Sequence, residues 1–159
     1  MDPARQQRLD AIAAIAVKIE AETKLPAKLL VAQWAVESQW GSKPVGHANY
    51  FGMKKAARHT QCCTVETHEV IGGRTVLIDA EFADYDSLED SARDYAWLLT
   101  HGAPYAKAWA AFLADGNFTN LANDVLKVYA TAQYGSLALQ IAAQDNVASA
   151  IQSASGVNA

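Results

Sequence analysis

Cysteine is scarce in this 159-residue chain: two occur, Cys62 and Cys63, and they are neighbours. Adjacent cysteines rarely bond to each other, so no internal disulfide framework is expected. Proline (4) and glycine (9) are also sparse, and hydrophobic residues make up 51% against 19% charged. That profile excludes a collagen-like, low-complexity or disordered chain. Basic charge is not in surplus either, because 13 Lys and Arg against 17 Asp and Glu leave a net −4. Nucleic acid is therefore not an expected partner, and an anionic surface would have to be bound by a shaped cleft. No apolar run approaches the about 20 residues of a helical membrane span. The opening MDPARQQRLD is too polar for the h-region of a secretory leader. The expectation is synthesis in the cytoplasm and, for any export, a route that the sequence does not display.

Several chemistries lack their residues. His47, His59, His68 and His101 show no tight metal-ligand spacing, and Cys62 and Cys63 beside His68 make poor tetrahedral geometry. No histidine is placed against either thiol, and neither a phosphate loop nor a dinucleotide fingerprint occurs. No metal and no organic cofactor is expected.

What the chain does contain is apolar periodicity. Its length suits one domain, taken as residues 1–153, with 154–159 as a flexible tail. Asp2 and Pro3 cap a first helix whose stripe (Leu9, Ile12, Ala13, Val17, Ile19 to Ala21) lasts to about Thr23. A second helix starts at Pro26 and runs through LLVAQWAVESQW to Gly41. Residues 41–63 form a long structured loop around HANYFGMKK. Residues 64–85 form a hairpin turning at Gly72 and Gly73. Ser87 and Asp90 then open a helix that closes at Gly102, and Pro104 starts another that ends near Gly116. Two last helices fit 119–130 and 136–152. The fold class is mainly α (α+β): a lysozyme-like helical domain with one small β-hairpin beside a cleft.

Leu30, Gln33, Trp34 and Glu37 fall at i, i+3, i+4 and i+7 and share one helix face. Glu37 thus stands in the last turn among large apolar residues. Burial and the partial negative charge of a helix C-terminus both favour its protonated form. A carboxyl group kept protonated near neutral pH is what general-acid cleavage of an acetal requires. On the helix alone, a solvated and inert glutamate is the favoured reading. The hairpin adds Glu66, Glu69 and Glu81, each suited to serve as a second carboxylate or simply to keep an edge strand soluble. Tyr50, Phe51 and Tyr129 adjoin loops, where ring faces suit the C–H surfaces of sugars.

The run LLVAQWAVESQWGSKPVGHANYFGMK resembles the catalytic segment of the glucosaminidase-type peptidoglycan hydrolases, glycoside hydrolase family 73. The shared pattern is A-Q-x-x-x-E-S-x-W-G, then N-x-F-G-x-K. Downstream, THEVIGGRTVLIDAEFADYDS is similar to the family's T-x-E hairpin and F-x-x-Y-x-S segment. SARDYAWLLTHGAPYAKAW resembles its D-Y-x-x-L-L helix pair, and LKVYATAQY its Y-A-T-D-P-x-Y ending. The resemblance spans roughly residues 20–145. It implies Glu37 as general acid and Glu69 as the second carboxylate; Glu66, in a T-x-E of its own, would misplace Gly73 and Phe82. It further implies that Asn49, Phe51 and Gly52 form the loop beside Glu37 and that Tyr129 lies near the cleft; the expected substrate-binding residues are Trp40, Asn49, Tyr50, Phe51 and Tyr129. The implied activity is cleavage of the β-1,4 bond after N-acetylglucosamine in bacterial peptidoglycan, by a monomer without cofactor. A muramidase, a lytic transglycosylase and a non-catalytic peptidoglycan-binding module are the alternatives. A phage endolysin released through a holin, or an effector injected by a secretion system, is the expected setting. Lys127-Val128 and Ala132-Gln133 depart from the family's ending, which bears on subsite preference.

Overall fold

The computed structural model describes residues 2–129 and 132–156, and for residues 132–134 the backbone alone. The chain opens with α1 (Pro3–Thr23), started by Asp2, whose carboxylate accepts from the Ala4 amide at 3.3 Å. Leu9, Ile12, Ala13, Ala16 and Ile19 form its buried stripe, while Val17 is half-buried and Ala21 exposed. Lys24 turns left-handed and ends the helix. Next, α2 (Ala27–Glu37) begins at Pro26, which has no side chain to cap it. Glu20 on α1 supplies the cap instead, accepting from the Ala27 amide at 2.6 Å. Every residue from Leu29 to Ala35 is buried, Gln33 included, so α2 is covered all round and runs through the centre of the domain. That burial delivers Glu37 to the edge of the core.

The helix stops three residues sooner than the sequence pattern suggests. Ser38 turns its hydroxyl back to donate to the Trp34 carbonyl (2.6 Å) and accepts from the Gly41 amide (2.9 Å). Gln39, Trp40 and Gly41 then all take positive φ, and the turn swings Trp40 off the helix face. Gly41 is required there: a Cβ would stand 2.5 Å from the Trp34 ring.

Two strands, β1 (Cys62–Ile71) and β2 (Arg74–Ala83), pair antiparallel around Gly72 and Gly73, both left-handed as a two-residue turn demands. The loop before them is tied to the base of β2: Ala83 N donates to Met53 O (3.0 Å) and Lys55 N to Glu81 O (3.1 Å). Ser87 caps α3 (Leu88–His101) by accepting from the Asp90 amide, as the sequence predicts. A single 3-10 turn (Ala103–Tyr105) leads into α4 (Ala106–Asp115), which Gly116 ends in left-handed conformation. After α5 (Phe118–Tyr129), the helix expected over 136–152 is two: α6 (Ala132–Ala142) and α7 (Asp145–Ala154). Gln144, extended at ψ 138°, breaks it without any glycine or proline. The break lets α6 pack on α2 while α7 returns to α1. Residues 157–159 of the expected tail lie outside the described residues. Among the described residues no helix is long and apolar enough to cross a membrane.

Candidate active site

Glu37 is the final residue of α2 and half-buried. Its Oε1 accepts from the buried Gln33 amide at 3.0 Å, an i, i+4 pair along the helix. On the other side stands Gly52, where a Cβ would come 2.9 Å from Glu37 Oε2. Burial pushes the Glu37 carboxyl up to about 7, against a smaller downward pull from the Gln33 hydrogen bond. Near neutral pH this group carries a proton in a large share of molecules. Gly52 is at φ +64°, so Gly52→Ala adds both backbone strain and a methyl group against the carboxyl. We expect it to lose about 1–2 kcal/mol in a thermal melt and to slow turnover more than tenfold.

The loop that carries Gly52 is built by Asn49. Its Nδ2 donates to Met53 O (2.9 Å) and Ala83 O (2.8 Å), and its Oδ1 accepts from the amides of Phe51 (3.3 Å) and Met53 (3.1 Å). Phe51 drops into the core, stacked on Tyr95 with ring centroids 4.6 Å apart. Tyr129 reaches the same loop from α5, its hydroxyl donating to the Phe51 carbonyl and lying 3.1 Å from Met53 Sδ. Burial, with Tyr95 and Glu37 nearby, pushes the Tyr129 phenol well above its ordinary pKa and keeps it neutral. Asp84 fixes the other end of the loop by accepting from the amides of His47, Ala48 and Tyr85. Burial resists its ionisation, but those three donors prevail and hold it below the usual carboxylate range.

Several sequence expectations need correction here. Asn49 (1% exposed) and Phe51 (0%) present no surface to a saccharide; they shape the loop from within. Trp40 is directed elsewhere, its ring under the Arg5 guanidinium (3.7 Å) and edge-on to Trp34. Tyr50 stays half-exposed on the loop, and Tyr129 offers part of its ring while its hydroxyl is used internally. Ala130 and Thr131, which follow Tyr129 in its motif, lie outside the described residues, as do the side chains of Ala132, Gln133 and Tyr134.

Glu66 and Glu69, the two glutamates of β1, part company by strand periodicity. Glu69 lies on the face that holds Thr67, Ile78 and Phe82, whereas Glu66 points the other way beside Asp79 and is exposed. Glu69 pairs with Lys54 at 3.5 Å, two residues beyond Gly52, so it is tied to the loop that touches Glu37. Among the described residues the hydrogen-bond partner of the Glu37 carboxyl is Gln33, and Glu69 is joined to Lys54 instead. Cys62 and Cys63 also point to opposite faces, as free thiols, and the described residues hold no cluster able to ligate a metal.

Three contributors carry no role in the sequence: Gln33, Asp84 and Tyr95. Gln33 was within reach, since i, i+4 spacing to Glu37 announces the amide–carboxyl pair. Asp84 and Tyr95 act through contacts distant in sequence. The Tyr95 hydroxyl is buried without a hydrogen-bond partner among the described residues.

Comparison with known proteins fits this arrangement. A probable N-acetylmuramidase of Lactococcus lactis is 30% identical over 110 residues, covering 65% of this chain and 25% of that protein. Peptidoglycan hydrolase FlgJ of Salmonella typhimurium is 31% identical over 109 residues, covering 64% of this chain and 34% of its own. The chain thus spans a quarter to a third of the length of these curated relatives. The catalytic domain of the autolysin Auto from Listeria monocytogenes shares the fold, with TM-score 0.78 and 24% identity over 94% of this chain and 89% of that one. The family model for glucosaminidase, described as mannosyl-glycoprotein endo-beta-N-acetylglucosaminidase, matches residues 13–147, and the chain belongs to that family.

Proposed function

We propose that this chain hydrolyses the glycan of bacterial peptidoglycan at the β-1,4 bond after N-acetylglucosamine, with Glu37 as general acid. The observation that carries the reading is the Glu37 carboxyl itself: half-buried, held by Gln33, and pushed up to about 7. Protonated Glu37 gives its proton to the glycosidic oxygen as the C1–O bond breaks, and the sugar passes through an oxocarbenium-like state. Bare Gly52 leaves the second carboxyl oxygen room to be approached. Relatives named peptidoglycan hydrolase and exo-glucosaminidase support the substrate and the bond.

The developing positive charge needs a partner on the opposite face of the sugar. Glu69 and the substrate's own acetamido group are the two candidates. Glu69→Gln is expected to lower kcat at least tenfold with KM little changed. Full retention of rate would move the role to the acetamido group.

The name of the Lactococcus relatives favours a second reading, in which the muramyl bond is cut. Mass spectrometry of reduced ends released from sacculi separates the two. Reduced N-acetylglucosamine ends are expected, and they should vanish with Glu37→Gln. Reduced or anhydro N-acetylmuramic acid ends would overturn the bond assignment, and no soluble product would leave a binding module.

A further inference from the structure

A cavity of about 380 Å³ opens between α1, α2 and α6 on the side to which Trp40 turns. Arg5 lies across it with its guanidinium carbon 3.7 Å from the Trp40 ring centre. Arg8 holds that tryptophan in place by donating from Nε to the Trp40 carbonyl at 2.8 Å. The arginines that pair elsewhere are satisfied: Arg58 on Asp94, Arg93 on Glu22 and Glu89. Arg5 differs. It makes no ion pair among the described residues, and its buried Nε has no hydrogen-bond partner.

A buried guanidinium nitrogen without an acceptor costs free energy that a bound anion would recover. A guanidinium that stacks on an indole and has no ion-pair partner keeps its capacity for two-toothed hydrogen bonding in its own plane, the pairing that a carboxylate accepts. No acidic side chain lines the cavity, although the chain is acidic as a whole. Gln39 and Gln144 bring amide groups to the lining, and Val36 and Leu137 bring apolar walls. Amides match a peptide backbone, and the walls match small aliphatic side chains.

We propose that this cavity is a second ligand site that binds the terminal carboxylate of a short peptide against Arg5 and Trp40. The inference rests on the peptidoglycan reading for its source of ligand, because those glycan strands carry short peptides with free carboxylate ends. It gives Trp40 a role in substrate binding away from Glu37.

The test is titration of the isotope-labelled chain with N-acetyl-D-alanyl-D-alanine and with its C-terminal amide. The reporter is the Trp40 indole resonance, assigned with Trp40→Phe. The acid should shift that resonance saturably and bind at least tenfold more tightly than the amide. Arg5→Gln should bring the acid down to the level of the amide, with far-UV dichroism unchanged. Equal binding of acid and amide, or acid binding that survives Arg5→Gln, would overturn the site. Should Arg5→Gln fail to fold, the comparison of acid with amide on the unaltered chain still decides. The readout needs no hydrolysis, so a chain that binds the acid yet cuts no glycan refutes the proposed function and leaves this site standing.

Discussion

Replacing Glu37 with glutamine is expected to slow peptidoglycan hydrolysis by about a thousandfold or more while making the protein more stable above neutral pH. The two effects have one cause. A carboxyl raised from 4.5 to about 7 binds its proton more tightly in the folded chain than in the unfolded one. Its contribution to stability is therefore fully present below pH 4.5 and is lost as pH rises through about 7. At about 1.4 kcal/mol for each pH unit between those values, the loss above neutrality is up to about 3 kcal/mol. Glutamine is nearly the same shape, stays neutral, and its carbonyl still accepts from Gln33. Denaturant melts of both proteins at pH 5 and pH 8 should therefore show Glu37→Gln gaining on the wild type as pH rises. Equal pH dependence would mean that Glu37 titrates as an ordinary surface glutamate, and the general-acid role would lose its physical basis.

Asn49→Ala should give the largest loss of stability of the changes considered, about 3–4 kcal/mol. One buried side chain there makes four hydrogen bonds, three within its own loop and one to the end of β2. Alanine leaves the amides of Phe51 and Met53 and the carbonyls of Met53 and Ala83 without those partners. The midpoint of thermal unfolding should fall by roughly 10 °C for a domain of this size. Activity should fall with it, because the same loop seats Phe51 in the core and sets Gly52 against Glu37. A residue that merely touched saccharide would behave differently, raising KM and leaving the melting point alone. That result would return Asn49 to the groove.

Much of the fold is legible along the chain because its signals are local. Asp2-Pro3, Ser87 with Asp90, the paired glycines and Gly116 each act within a few residues of themselves, and each marks an element boundary in the structure. Glu37 is legible for the same reason, as helical spacing alone sets it beside Trp34 and Gln33. What the sequence hides is set by distant partners. Ser38 ends α2 with its own hydroxyl where the pattern invites three more residues. Gln144 breaks the last helix because α6 and α7 pack on different neighbours. The segment Asn49–Lys54 reads as part of a long structured loop, but its anchors do not show: Asn49 satisfies the loop's own backbone and Phe51 finds Tyr95, far along the chain. Trp40 follows Glu37 closely in sequence, but left-handed backbone at Gln39 and Trp40 sends it toward Arg5.

The most direct test of the central claim is the pH dependence of sacculus hydrolysis, measured for the wild type and Glu37→Gln side by side. The wild type should lose activity through an alkaline limb centred near 7, where Glu37 gives up its proton. Glu37→Gln should show no comparable turnover at any pH. A wild-type rate that holds level well past that limb, or a glutamine variant that keeps half the activity, would contradict the assignment of Glu37 as the acid.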